Sequence, residues 1–108
     1  MEFRARVVRR PTYIFEAVED GKVAAEVHLS IKRGRKGRYG YVHEVFSEEA
    51  HRGKGLARKL NLDAIAKARK LKCYKIVLTS NDKNIAVHAM YEKLGYKRHG
   101  LEFRLDLE

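Results

Sequence analysis

Two residue types that often constrain a small chain are nearly missing from this one. Of its 108 residues, one is cysteine and one is proline, and tryptophan does not occur. The lone Cys73 cannot form an internal disulfide, so a fold held by such bonds is excluded. Cys73 lies between a helical pattern and an apolar strand pattern, and we expect it to pack rather than to react.

Long hydrophobic runs are missing as well. No apolar stretch approaches the ~20 residues of a membrane-spanning helix. The first ten residues lack the basic start, apolar stretch and cleavage site of a secretory signal. Hydrophobic residues make up 44% and charged residues 35% of the chain, as in folded, soluble proteins. We therefore expect one soluble, cytoplasmic domain, residues 1–108, with no membrane partner.

The usual signatures of metal and acyl-enzyme chemistry are absent too. No His, Cys, Asp or Glu spacing is typical of a zinc or iron site. No serine or cysteine nucleophile has a recognisable partner motif. We expect no metal cofactor and, for an enzyme, direct transfer rather than a covalent acyl-enzyme.

Negative charge is scarce: 24 Lys and Arg stand against 14 Asp and Glu, a net charge of +10. Such a field attracts nucleic acid, anionic membranes and phosphorylated cofactors. Much of the excess lies in residues 32–38, KRGRKGR, which predict an exposed loop between two strands. A solvated loop and a binding loop both remain open. Nucleic acid is the less favoured partner, because no recognition helix, zinc knuckle or aromatic RNA-binding motif accompanies the loop.

Hydrophobic periodicity predicts a sheet with helices packed on it, an α/β (α+β) fold. Asp20-Gly21 favours a type I′ hairpin turn between the first two strands. Apolar residues at helical spacing begin at Leu56, and Gly95 ends a second helical pattern. The predicted strands are 12–18, 23–31, 39–46, 74–79 and 101–107, and the predicted helices are 56–71 and 85–94.

A basic, glycine-containing turn, RGKGLA at residues 52–57, leads directly into the first predicted helix. Its two glycines let the backbone approach a ligand and direct N–H groups into one concavity. The helix adds N–H donors and the positive end of its dipole. The spacing fits neither a Walker A loop nor a three-glycine dinucleotide motif, which disfavours ATP and NAD. The pattern alone leaves phosphate binding and an ordinary surface turn open.

Two motifs in this order resemble the GCN5-related N-acetyltransferase (GNAT) superfamily. The first is YVHEVF at 41–46 followed by HRGKGLA at 51–57; the second is Asn84 followed by YEKLGY at 91–96. The resemblance covers roughly residue 39 to the carboxyl terminus. It implies a mixed, splayed β-sheet with an antiparallel amino-terminal meander and two main helices. It also implies direct transfer of an acetyl group from acetyl-CoA to a primary amine.

The chain departs from this family near its start. Members normally place two helices after the first strand, where they help to wall the acceptor pocket, but little more than residues 1–11 precedes the predicted hairpin. The resemblance therefore implies an unusually open acceptor side, or one completed by a second subunit of a homodimer.

The resemblance also assigns roles to residues. Backbone groups on the third predicted strand would contact pantetheine and the acetyl carbonyl, residues 52–57 would wrap the pyrophosphate, and Asn84 would hold the cofactor arm. Tyr91 matches the family's usual acid. Glu44 aligns with an acidic pair in polyamine-type members, where His43 replaces the first acid, and is the implied base. The cofactor-binding residues implied are Val45, Phe46, Ser47, Arg52, Gly53, Lys54, Gly55, Leu56, Ala57 and Asn84.

Alternatives remain open for these residues and for the function. Tyr91 is also compatible with simple packing, Glu44 with a solvated or paired carboxylate, and a bound water could replace Glu44 as the base. His43, His51 and His88 are predicted to be surface or loop residues. The acceptor would be a polyamine or other small cationic amine, an amino acid, an amino sugar or a protein amine. A non-catalytic acetyl-CoA sensor or interaction module is the alternative function.

Overall fold

The computed structural model describes residues 1–9 and 12–108, without the side chains of Val8 and Arg9. Arg10 and Pro11, which end the amino-terminal segment considered above, lie outside the described residues. The chain forms two compact units, Met1–Leu78 and Thr79–Glu108. That the two make one domain stays a prediction.

A five-stranded sheet forms the first unit, with its strands in chain order. The first four strands make an antiparallel meander, and the fifth pairs parallel to the fourth. One helix, α1, connects the fourth strand to the fifth. The elements of this unit are β1 (Glu2–Arg9), β2 (Thr12–Glu19), β3 (Lys22–Gly34), β4 (Gly37–Ser47), α1 (Leu56–Lys70) and β5 (Ile76–Leu78).

The β2–β3 and β3–β4 turns differ in how well the sequence predicts them. Asp20 and Gly21 have φ values of 50° and 77°, as a type I′ turn requires. The predicted loop over residues 32–38 is wrong in its extent, because β3 and β4 continue to pair through Arg33↔Arg38 and Gly34↔Gly37. Two residues are left as the turn. The side chains of this segment are densely charged, but its backbone keeps the hydrogen bonds between β3 and β4.

The core lies between α1 and one face of the sheet. The predicted helical stripe is confirmed: Leu56, Leu60, Ala64 and Ala68 are buried against β2, β3 and β4. A Cβ at Gly40 would lie 3.0 Å from Leu29 Cδ1. Glycine at this point of β4 therefore lets the neighbouring side chains and α1 approach the sheet closely.

The second unit contains one helix, α2 (Ile85–Lys93), which ends before Gly95 with φ 106°. The predicted strand at 101–107 is wrong: no strand forms there, and its alternating apolar residues are 82–90% exposed. Alternating apolar and polar residues suit a segment to a β-sheet, but a strand forms only where a neighbouring strand can pair with it. Among residues 1–9 and 12–108, no helix is long and apolar enough to cross a bilayer.

One buried charge joins β1 to β2. The Nε atoms of Arg4 and Arg6 each donate to Glu16 Oε1 at 2.9 Å, and the Glu16 side chain is 1% exposed. Burial alone would raise the pKa of this carboxyl, but the arginine hydrogen bonds outweigh it and the pKa is lowered. The carboxylate is thus held ionised between the strands.

Replacing Glu16→Gln removes the charge that both arginines neutralise, and we expect the melting temperature at pH 7 to fall by roughly 5 °C. Because the pKa of Glu16 is lowered on folding, its contribution is present at neutral pH and is lost on acidification. The variant should therefore lose less stability than the parent between pH 7 and pH 3. Glu26→Gln, which changes a more exposed carboxylate directly opposite Glu16, is the matched control. Equal melting curves for parent and Glu16→Gln would contradict this role.

Candidate active site

A β-bulge interrupts β4 at the predicted catalytic carboxylate. His43 pairs with His28 and Phe46 pairs with Glu26, so Glu44 and Val45 together oppose one residue of β3. Glu44 has φ 51°, a left-handed conformation uncommon for a residue other than glycine, and such outliers cluster at functional sites. The bulge turns the strand and leaves Glu44 exposed.

The bulge coincides with the point where β4 separates from β5. The two strands pair only through Gly40↔Ile76, Tyr41↔Val77 and Val42↔Leu78. Beyond Val42, β4 has no partner on its β5 side among the described residues. Val45 and Phe46 are 38% and 48% exposed there. Backbone N–H and C=O groups on this open edge are available to an extended ligand.

The glycine turn between β4 and α1 has the backbone conformation that an anion site needs. Gly53 and Gly55 have φ values of 84° and 74°, and nothing lies within 4 Å of where a Cβ would stand on either. Gly55 caps α1 without a side-chain hydrogen bond, and no acidic residue occupies the first turn of the helix. Uncapped N–H groups and the helix dipole therefore face an open cradle.

Basic side chains surround this cradle. Arg52 Nε donates to the Ser47 carbonyl at 3.3 Å, which ties the turn to the end of β4. Lys54 Nζ lies 3.3 Å from His51 Nδ1, and His51 Nε2 lies 3.1 Å from Glu19. The first residue of α1, Leu56, is buried and anchors the turn to the core.

His43 occupies a different place from the surface position predicted for it. It is half-buried in β4, its Nε2 lies 2.8 Å from Ser30 Oγ, and Ser30 in turn contacts Thr12 Oγ1 at 3.0 Å. Burial, with the neighbouring His28, lowers the pKa of His43, which favours a neutral imidazole at pH 7. Sequence reasoning missed this contact because it depends on register between strands that lie far apart in sequence.

The second unit holds the predicted acid. Tyr91 is 7% exposed in α2, and burial raises the pKa of its hydroxyl. The Tyr96 ring stacks edge-to-face on it at 5.8 Å, and burial raises the pKa of Tyr96 to about 12. Asn84 stands at the start of α2, where its side chain makes no capping hydrogen bond, and His88 lies within the helix.

The structure thus brings most of the predicted site residues together within the first unit. Glu44, Val45, Phe46 and Ser47 follow one another along the open end of β4, and residues 52–55 form the turn that leads to Leu56 and Ala57 at the start of α1. Tyr91 and Asn84 belong to the second unit. Among residues 1–9 and 12–108, no cluster of three His, Cys, Asp or Glu side chains could hold a metal ion.

The fold is thus a mixed sheet whose bulged fourth strand separates from the fifth and is followed by a glycine turn into a helix. The model of the Acetyltransferase (GNAT) family matches residues 2–96, a wider span than the resemblance in the sequence. A glucosamine 6-phosphate N-acetyltransferase of Trypanosoma brucei brucei is 34% identical over 110 residues, which cover 99% of this chain and 71% of the relative.

Solved structures of acetyltransferases have the same fold. An acetyltransferase of Trypanosoma brucei superposes with a TM-score of 0.76 at 32% identity, over 89% of this chain and 68% of that one. A glucosamine-6-phosphate N-acetyltransferase of Arabidopsis thaliana has the same fold, with a TM-score of 0.81 at 24% identity over 90% and 67% of the two chains. The chain belongs to the GNAT acetyltransferase family. It is an N-acetyltransferase that acts on an amine, in a family that uses acetyl-CoA.

The turn gives a test of phosphate binding. Gly55→Ala places a Cβ on a residue with positive φ, and we expect acetyl-CoA affinity to fall about tenfold, since the strained backbone moves its N–H groups. Gly21→Ala is a matched control, because Gly21 has φ 77° and an equally empty Cβ position in a distant turn. Calorimetry measures both affinities. A loss shared equally by the two variants would contradict a specific role for the turn.

Proposed function

We propose that this N-acetyltransferase transfers the acetyl group of acetyl-CoA to the amine of an amino sugar. The observation that carries the proposal is the bulge of β4 at Glu44 beside an open strand edge, in a chain 34% identical to a glucosamine 6-phosphate N-acetyltransferase. Other small amines, amino acids and protein amines are competing acceptors, and a sensor that binds acetyl-CoA without transfer is the competing function.

Acetyl-CoA supplies a thioester, and the residues of β4 and the turn fit it. Backbone groups of Val45, Phe46 and Ser47 on the unpaired edge are suited to hydrogen-bond the amide-rich pantetheine arm. Their N–H donors would also stabilise negative charge developing on the acetyl oxygen. The empty cradle at Gly53 and Gly55 accommodates pyrophosphate. Arg52 and Lys54 add positive charge, Leu56 and Ala57 supply helix N–H groups, and Asn84 is proposed to hold the cofactor arm.

An attacking amine must be neutral, so a base is needed near the acetyl carbonyl. We assign this role to Glu44, because the bulge exposes its carboxylate at the edge where the acetyl group would lie. His43 is the competing base: it is the preceding residue, and its lowered pKa leaves the imidazole able to accept a proton at pH 7.

Tyr91 is proposed to protonate the departing thiolate. Burial raises the pKa of its hydroxyl, so it stays protonated throughout the neutral range and keeps a proton to donate. The edge-to-face contact with Tyr96 limits rotation of the ring and thereby favours a fixed direction for the hydroxyl.

Two further properties of the protein stay predictions. They are the cytoplasmic location and the homodimer. Neither enters the proposed mechanism.

The proposal is tested by measuring thiol release from acetyl-CoA with four separate acceptors: glucosamine 6-phosphate, glucosamine, spermidine and a peptide with a free amino terminus. If the acceptor is an amino sugar, we expect the highest kcat/KM with glucosamine 6-phosphate or glucosamine. Preference for spermidine or the peptide would overturn the acceptor class. Acetyl-CoA binding without release for any acceptor would favour the sensor.

Tyr91→Phe removes the proposed donor and keeps the ring. We expect kcat to fall about 100-fold, within the usual range for general acid catalysis, while acetyl-CoA affinity stays within about twofold. Tyr96→Phe removes the neighbouring hydroxyl from the same aromatic pair and serves as the control. Unchanged turnover in Tyr91→Phe would remove the acid assignment.

The substitution Glu44→Gln distinguishes Glu44 from His43 as the general base. If Glu44 accepts the proton, kcat/KM at pH 7 falls at least about tenfold, and raising the pH recovers part of the loss by deprotonating the free amine. His43→Gln should then have a smaller effect. The reverse ranking of the two variants would assign the base to His43.

A further inference from the structure

The excess of positive over negative charge in this chain comes from two stretches. No Asp or Glu occurs in residues 27–43 or in residues 64–81, and together these hold ten Lys and Arg. The other 14 Lys and Arg are matched by 14 Asp and Glu. The whole net charge of +10 therefore comes from these two stretches. The basic residues are Lys32, Arg33, Arg35, Lys36, Arg38, Lys67, Arg69, Lys70, Lys72 and Lys75.

The fold brings the two stretches together at one end of the first unit. The Tyr74 N–H donates to the Arg38 carbonyl at 3.0 Å, and the Gly40 N–H donates to the Lys75 carbonyl at 2.9 Å. These bonds join the β3–β4 hairpin to the segment between α1 and β5. We call the combined surface, residues 32–38 and 67–75, the basic end.

Two like charges repel each other within the basic end. Arg33 and Arg38 are directly opposite each other across β3 and β4, where like charges destabilise a sheet. Among the described residues, neither has a carboxylate within 4 Å. Guanidinium groups in this arrangement are suited to an oxyanion, especially a phosphate that accepts two hydrogen bonds from one arginine.

A hollow of about 300 Å³ lies beside this pair. Tyr13, Ile31 and Leu71 supply its apolar wall, and Arg33 and Arg38 supply its charge; Lys32 also lines it, with its ammonium over the Tyr41 ring. An apolar wall beside several cations matches a ligand that carries a flat ring next to an anionic group. A nucleotide unit has this composition.

Aromatic rings lie beside the same hairpin, on the face of β3 and β4 opposite to Arg33 and Arg38. Tyr74 is 46% exposed, its ring meets that of Tyr39 edge-to-face at 6.5 Å, and Lys75 Nζ lies 5.2 and 5.4 Å from the Tyr39 and Tyr74 ring centroids. Exposed aromatic rings among cations are the usual means by which proteins bind single-stranded nucleic acid. An acidic polypeptide would use the cations but has no need of the rings.

The basic end is distinct from the proposed acetyl-CoA site. Arg38 and Ser47 are at opposite ends of β4, about 30 Å apart at the usual rise of a strand. Helix α1 starts at the glycine turn and ends at Lys70, about 22 Å further along its axis. The cations of the basic end therefore serve a different ligand from the turn at residues 52–57.

From this charge, pairing and ring geometry we infer that the basic end binds single-stranded nucleic acid that passes around the hairpin, with Arg33 and Arg38 on phosphates at one face and Tyr74 beneath a base at the other. This assignment differs from the expectation drawn from motifs, because the surface is assembled from two stretches and has no linear signature. It is independent of the acceptor amine and of catalysis.

The test uses the full chain and a fluorescein-labelled oligouridylate of roughly 12 nucleotides. Anisotropy gives the Kd between ~50 and ~300 mM KCl. We expect saturable binding that weakens with salt. Arg33→Ala with Arg38→Ala should weaken it at least about tenfold and lower the slope of log K against log salt by about 1.4, or 0.7 for each phosphate that is no longer neutralised. Tyr74→Ala should weaken it about tenfold with little change in slope.

Matched controls separate specific binding from net charge. Lys22→Ala with Lys83→Ala removes two exposed cations outside the basic end, and affinity should stay within about twofold. Circular dichroism and acetyl-CoA affinity should be unchanged in the Arg33/Arg38 variant, so that misfolding or failure of the proposed enzyme site is recognised separately.

Three results would overturn the inference. One is the lack of saturable oligonucleotide binding by the parent protein at ~50 mM KCl. Another is an equal loss of affinity in the Lys22/Lys83 control. The third is displacement of the oligonucleotide by polyglutamate at equal charge concentration, which would assign the surface to an acidic polypeptide.

Discussion

The short pairing between β4 and β5 is the constraint on which the site depends. These strands share three residue pairs, and β4 then runs on for five more residues to Ser47 without a partner on that side among the described residues. Ordinarily an open strand edge is a liability for aggregation. Here the bulge at Glu44 turns the edge, and the cost of leaving backbone groups unpaired is offset when an extended ligand supplies the missing hydrogen bonds. Acetyl-CoA is such a ligand.

The two ends of helix α1 differ in the charge that surrounds them, and so do the corresponding ends of the first unit. Its amino terminus follows Gly55 without an acidic residue in the first turn, so its N–H groups and dipole favour an anion. Its last turn carries Lys67, Arg69 and Lys70, which complement the negative end of the dipole. These cations then join those of the β3–β4 hairpin. One helix thus begins at the proposed phosphate site and contributes cations to the basic end at its last turn.

Local patterns in the sequence were sufficient for most of the architecture. The Asp20-Gly21 turn, the stripe from Leu56 to Ala68 and the end of α2 before Gly95 follow from backbone preferences and helical period, and the structure confirms them. Strand β1 was not predicted, although its alternation is visible, because pairing with β2 rather than composition decides that it is a strand. The terminal segment with Phe103 shows the converse: it alternates but has no strand to pair with.

The backbone geometry of the candidate site was predictable where it follows from a linear motif, and it was not predictable where separate strands come together. Gly53 and Gly55 stand close together in sequence and their positive φ values follow from being glycine. The left-handed conformation of Glu44 could not be read from its neighbours, since it comes from a register shift against β3. The contact of His43 with Ser30 likewise depends on strand register. The catalytic roles of Glu44 and Tyr91 remain predictions.

We propose that acetyl-CoA occupies the open edge of β4 and the turn before α1. Backbone amide chemical shifts during an acetyl-CoA titration test it directly, because each N–H group reports separately. We expect saturable shifts concentrated at Val45, Phe46, Ser47 and residues 53–56, with little change in the hairpin at residues 32–38. Shifts confined to that hairpin, or no saturable shift, would contradict the account.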